Sequence, residues 1–165
     1  MAASPKKSLA LDTNLLLDLA GEEDFAHEFK EEFSRRGYTL LAPPTVVAEL
    51  AFFASLKDAP QHEIANVALE KMSGWKCQPF TLSSTQLALA IQFASRLMEF
   101  SLIPETEQND GKILAQASLA EIPLLVTSDK HLLNIDEDAL LLAFNEADLS
   151  LVRPVHPKGL LRVLR

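Results

Sequence analysis

Short apolar runs ended by single carboxylates alternate along this chain with longer stretches in which apolar residues recur every three or four positions. The first run is residues 8–14, Ser-Leu-Ala-Leu-Asp-Thr-Asn. Leu9 and Leu11 flank Ala10, Asp12 ends the run, and three leucines and Asp18 follow. The pattern reads as a buried strand that delivers Asp12 to its C-terminal end and passes straight into a helix. A carboxylate there has two readings. It can cap the helix start, or it can belong to a site, because ligands of open α/β sheets bind just outside the C-terminal ends of the strands.

Residues 22–36 carry Phe25, Phe29 and Phe33 at spacing four with charged residues between them, an amphipathic helix that Gly37 stops. Residues 38–42 form a short strand. Pro43-Pro44-Thr45 opens another helix, with Val46, Val47, Leu50, Phe53 and Ala54 facing inward and Glu49 among them. The apolar neighbours leave little wet side, and a carboxylate in such surroundings needs a partner or a cation. Residues 62–73 are helical up to Gly74, and 75–80 form a short strand. Ser83 and Gln86 make a capping box for a helix running to about residue 101. That helix is apolar around much of its circumference, hence either deeply buried or shared with a partner chain.

Residues 103–109 form a polar loop, and Asp110 falls in the first turn of the helix that follows. Leu124-Leu125-Val126 is fully apolar, as expected inside a parallel sheet. Thr127-Ser128-Asp129 comes next and a helix after it, so the opening motif is repeated. Residues 136–148 are acidic and leucine-rich without an evident role in the fold. Residues 149–155 alternate as an edge strand, where Pro154 fits. Arg153, Lys158, Arg162 and Arg165 have no acids beside them in the sequence.

The 165 residues suffice for one domain with a full core. A net charge of −8 weighs against a broad basic face for nucleic acid, but not against a nuclease whose acidic centre is neutralised by metal. The single cysteine, Cys77, excludes a disulfide framework and a cysteine zinc site and fits a reducing cytoplasm. Lys6 and Lys7 precede an apolar run that Asp12 breaks too early for a signal peptide. Pro43, Pro44 and Glu49 interrupt the apolar stretch 40–56, which argues against a membrane span.

Strands alternating with helices imply right-handed crossovers and a parallel sheet. Asp12, Asp110 and Asp129 then sit at strand or helix ends facing one edge of the sheet, and Glu49 joins them from the helix after the second strand. Four converging carboxylates repel and raise one another's pKa. No paired arginines lie nearby in the sequence to relieve them. A hard divalent cation, Mg²⁺ or Mn²⁺, would do so, and could activate water and stabilise a phosphodiester under attack.

Four motifs in order carry a family resemblance: Leu-Asp-Thr-Asn at 11–14, Val-Val-Ala-Glu-Leu at 46–50, Asn-Asp-Gly-Lys-Ile-Leu-Ala at 109–115, and Val-Thr-Ser-Asp-Lys-His-Leu-Leu at 126–133. Together they resemble the PIN domain family, over residues 9 to about 163. The resemblance implies an α/β three-layer sandwich, its central, mostly parallel sheet of four to five strands flanked by helices, as one domain with a core at about 8–163. It implies a Mg²⁺- or Mn²⁺-dependent endoribonuclease of the bacterial toxin–antitoxin branch. Asp12, Glu49, Asp110 and Asp129 would be the catalytic, metal-holding quartet. Asn14 and Thr127 or Ser128 would orient carboxylates or water, and Glu107 would be an outer ligand. Asn109 stands where relatives carry a further acid, which counts against a second tightly held metal.

Lys112, Lys130 and His131 lie beside these positions and suit phosphate groups of RNA. They read equally as solvated surface residues. Arg153, Lys158 and Arg162 would add a second basic strip. The partners implied are an RNA substrate, an antitoxin protein and, with the apolar helix, a second copy of the chain; no membrane is implied. The competing reading is a catalytically silent PIN-like interaction module, though a pure scaffold has no need to gather four acids. Phosphatases that form an aspartyl phosphate also start with Asp at a strand end, but Asn14 stands where their second Asp is required.

Overall fold

The computed structural model describes residues 7–163; Lys6 and Arg165 lie outside them. Five strands form the spine: β1 (Ser8–Leu11), β2 (Thr39–Ala42), β3 (Cys77–Pro79), β4 (Leu124–Val126) and β5 (Arg153–Val155). They pair in the order β3-β2-β1-β4-β5, and every pairing is parallel. The expected sandwich is therefore present with five strands. The helices between and after them are α1 (Thr13–Ala20), α2 (Asp24–Arg35), α3 (Pro44–Ser55), α4 (His62–Lys71), α5 (Ser84–Glu99), α6 (Gln108–Leu119), α7 (Lys130–Leu133), α8 (Glu137–Glu146) and α9 (Pro157–Val163). Among the described residues no helix is long and apolar enough to cross a membrane.

Leu9, Ala10 and Leu11 of β1 and Leu125 and Val126 of β4 are buried, which is why both strands read as continuous apolar runs. The chain passes from β1 to β2 on one side and later returns to place β4 on the other. The C-terminal ends of β1 and β4 are thus a topological switch point, where an open sheet leaves a crevice. Register makes the crevice specific. Leu11 pairs with Val126, so Asp12 and Thr127 leave the sheet side by side.

The two edges are both blunted. Arg153 donates its amide to Pro123 O, and Val155 O accepts from Thr127. Alternation turns Pro154 outward, where its missing N–H leaves a gap in the open edge. On the far edge Phe80 donates to Ala42 O, so Pro79 faces outward in the same way.

α5 and α6 approach closely at Gly111. A Cβ there would lie 2.7 Å from Ala94 Cα and 2.8 Å from its Cβ, so only glycine lets the helix that carries Asp110 sit this low. α5 itself is buried along Ala90, Phe93, Ala94 and Leu97 and exposes Leu87, Leu89 and Ile91. Residues 136–148, left without a role by their composition, contain α8. Asp136 caps it by accepting from Ala139 N (2.9 Å), and Leu140, Ala143 and Phe144 bury one face, with Phe144 against Phe93. The edge strand is shorter than expected, 153–155 rather than 149–155. The loop 103–109 holds a 3-10 turn at Glu105–Glu107, and α6 already begins at Gln108.

Candidate metal centre

The carboxylates meet in an open depression of about 320 Å³ at the switch point. Asp12, Glu49, Glu107, Asp110 and Asp129 line it together with Thr13, Asn14, Leu17, Phe53, Gln61 and His131. His131 is the one basic residue in that lining. The acid nearest the sheet is Asp12, only 2% exposed. It stands at the N-cap position of α1 but makes no side-chain cap, so the capping reading fails. Its Oδ2 accepts instead from Thr127 Oγ1 at 2.6 Å, the contact that the β1–β4 register dictates. Burial pushes its carboxyl up from 3.8 to about 7 against the pull of that bond, and Glu49 and Asp129 add to the push.

Asp110 stands in the first turn of α6, buried, and its Oδ2 has no hydrogen-bond partner among the described residues. Burial pushes its carboxyl up to about 9, with Asp12, Asp129, Glu107 and Glu49 all adding to the rise. Oxygens of Glu107, Asp110 and Asp129 lie within 4.8 Å of one another, a spacing that one cation could bridge. The four quartet positions and Glu107 thus line one depression, and among the described residues it is Glu107, Asp110 and Asp129, without Asp12 and Glu49, whose oxygens come to this spacing.

Glu49 departs from its expected surroundings. Ala48, Ala51 and Phe52 of α3 are exposed, so the helix does have a wet side. Glu49 is half-buried and is held by Thr13, whose Oγ1 donates to Oε1 at 2.7 Å. α3 is in turn fixed to α6 by a reciprocal pair: Gln116 Nε2 donates to Thr45 Oγ1 (2.7 Å) and Thr45 N donates to Gln116 Oε1 (3.0 Å). The helices carrying Glu49 and Asp110 are thus clamped together by one buried glutamine. Asp129 caps α7, accepting from His131 N at 2.8 Å through Oδ1, while its own amide donates to Thr127 Oγ1 at 3.0 Å.

The remaining expected residues divide. Of Thr127 and Ser128, only Thr127 touches the quartet; Ser128 Oγ turns away and donates to Asp18 Oδ2 at 2.8 Å. Asn14 lines the depression with its side chain exposed and makes no side-chain hydrogen bond among the described residues. His131 reaches the lining. Lys130 is exposed beside it, and Lys112 is half-buried on α6; neither lines the depression. The second basic strip is not unopposed in space, because Lys158 and Arg162 face Glu23, Asp24 and Glu28 across another depression. Sequence reasoning missed Thr13, Gln116, Thr45, Asp18 and the lining residue Gln61. Thr13 alone had a local signal, sitting between Asp12 and Asn14 at the helix start.

A sequence model of the PIN domain matches residues 9–138. The structure is similar to that of VapBC2 from Rickettsia felis, solved bound to a DNA fragment from their promoter. The match has 16% identity and a TM-score of 0.61, and covers 90% of this chain and 98% of that one. It is also similar to FitAcB from Neisseria gonorrhoeae, with 18% identity, a TM-score of 0.51, and coverage of 91% and 98%. No curated protein matches the chain significantly.

Proposed function

The chain belongs to the PIN domain family, and on that footing we propose that it is a divalent-metal-dependent endoribonuclease, the toxin of a toxin–antitoxin pair, with 8–163 as a single domain. One observation carries the reading. Asp110 Oδ2 is a buried carboxyl oxygen without a hydrogen-bond partner among the described residues, set among acids that each raise its pKa. Such a carboxyl stays protonated near neutral pH and is costly to ionise unless a cation completes it. The all-oxygen donor set fits Mg²⁺ or Mn²⁺. Of the quartet Asp12, Glu49, Asp110 and Asp129, the last two would hold the ion together with Glu107, and Asp12 and Glu49 would complete the set. When bound, the ion would supply activation of water and stabilisation of charge on a phosphodiester.

The chain's own residues do the orienting. Thr127 fixes one oxygen of Asp12, Thr13 fixes one of Glu49, and the His131 amide fixes one of Asp129. Each carboxylate thus keeps an oxygen for the ion, the arrangement in which outer groups tune a metal site. Asn14, exposed in the lining, would hold water at the rim. Lys130 and His131, and Lys112 farther along α6, would receive the phosphates of an RNA strand in the cytoplasm. The toxin role and an antitoxin partner rest on the motifs' resemblance to that branch, and the likeness in fold to VapBC2 and FitAcB supports it.

A second reading, a silent interaction module or homodimer, has the exposed Leu87 and Ile91, one turn apart on α5, in its favour. The test is cleavage of a mixed single-stranded RNA pool with Mn²⁺, with EDTA, and by Asp12→Asn and Asp110→Asn. Cutting confined to wild type with Mn²⁺ is expected. Intact RNA, together with no Mn²⁺ heat by calorimetry, would transfer the conclusion to the module.

A further inference from the structure

Residues 127–129 carry two groups of the site, and the residue between them points elsewhere. Thr127 donates to Asp12 and Asp129 lines the depression, whereas Ser128 Oγ donates to Asp18 Oδ2 at 2.8 Å. Asp18 lies in α1 and is not part of the lining. It is half-buried. Burial pushes its carboxyl up and the Ser128 hydroxyl draws it back down, so the bond favours the charged form. The bond joins residues 110 apart in the chain. It ties the segment after β4 to the helix that follows β1 through residues outside the depression.

We propose that Asp18 is a positioning residue for the metal centre: through Ser128 it locks the 127–129 segment, and so sets where Thr127 and Asp129 present their oxygens. This deepens the metal-dependent reading and rests on it. Seen from the site, the segment is held by Thr127 Oγ1, which donates to Asp12 and accepts from Asp129 N. Those bonds, with Thr127 N donating to Val155 O and Leu133 N to Asp129 O, fix the two ends of the segment and leave Ser128 between them. The bond to Asp18 holds that middle residue as well. A strong hydroxyl–carboxylate bond serves this purpose without placing another charge among the acids.

The experiment uses the full chain and two readouts, Mn²⁺ binding by calorimetry and amide exchange without metal. Asp18→Ala and Ser128→Ala should each weaken Mn²⁺ binding about tenfold. The double variant should be no weaker than either single one, because one bond is removed once. Asp18→Asn keeps an acceptor for the hydroxyl and should bind close to wild type. Without metal, the amides of Asp129 and Lys130 should exchange faster in Asp18→Ala while those of β1 and β4 do not, which separates a loosened segment from a loosened fold. Wild-type affinity in Asp18→Ala, or additive losses in the double variant, would overturn the proposal while the metal reading stands. If wild type itself binds no Mn²⁺, the metal reading fails and the proposed role toward the ion falls with it; unchanged exchange at Asp129 would then dispose of the lock as well.

Discussion

The ends of β1 and β4 look alike in sequence, each an apolar strand, a carboxylate and a helix, yet they deliver opposite groups. Asp12 follows its strand directly, stays in the core and leaves the start of α1 uncapped. Asp129 comes two residues later, which carries it to the rim, where it spends one oxygen capping α7. The first acid therefore meets burial before anything else. The second meets the amide of His131 at the start of α7. Two intervening residues separate a buried, strained carboxylate from one held by a helix start, and Thr127, the first of them, is what the strained acid leans on.

The widest gap between the two ends should open in folding stability without metal. A carboxyl raised in the folded state is still protonated where the unfolded chain has ionised. Its contribution is fully present below about pH 4, lost as pH rises through about 7 for Asp12, and lost further towards about 9 for Asp110. At ~1.4 kcal/mol per pKa unit, relieving Asp12 is worth up to about 4 kcal/mol above pH 7. Asp12→Asn and Asp110→Asn should therefore raise the melting temperature in EDTA at pH 8 and flatten its fall between pH 4 and 9, as read by thermal melts across that range. A lower melting temperature for both variants would mean that the acids do not strain the fold.

Metal should reverse the order. Mn²⁺ at about a hundredfold over its Kd should stabilise wild type by about 3 kcal/mol, and neither asparagine variant should respond; differential scanning calorimetry decides this. Thr127→Val breaks the link between the two ends. It should lower stability by about 2 kcal/mol at pH 8, where the buried Asp12 loses its one hydroxyl donor, and by less at pH 5. Denaturant melts at the two pH values give the difference. The smallest effect belongs to the capping end: Asp129→Ala should cost about 1 kcal/mol and Asp129→Asn almost nothing, since asparagine caps as well.

What the chain reveals unaided follows the range of each interaction. The strands, most helices and the acids that end them are local punctuation and were legible. So was the gathering of Asp12, Glu49, Asp110 and Asp129 around one depression, because parallel topology brings the strand ends, and the helix starts beside them, to one side. The bonds that aim these acids were not legible. Thr13 reaches Glu49, Gln116 reaches Thr45 and Ser128 reaches Asp18 across 36, 71 and 110 positions, distances that only register and packing close. α8 was missed for another reason. Exposed Leu141 and Leu142 blur its apolar face and its first-turn acids Glu137 and Asp138 suggest a solvated segment, although Asp136 was a readable cap. Gly111 passed unnoticed because nothing in a sequence marks a glycine as a point of helix contact.

Pro79 and Pro154 give the molecule a rule of assembly. A strand donated by another polypeptide would meet, at the middle or end of a three-residue edge, a position with no hydrogen to share. Each margin therefore offers an incoming strand one donor fewer, which guards the sheet against edge-to-edge aggregation. Growth by strand addition is penalised at both ends of the sheet, and the side chains of the helical layers are left as the surface on which association meets no such penalty.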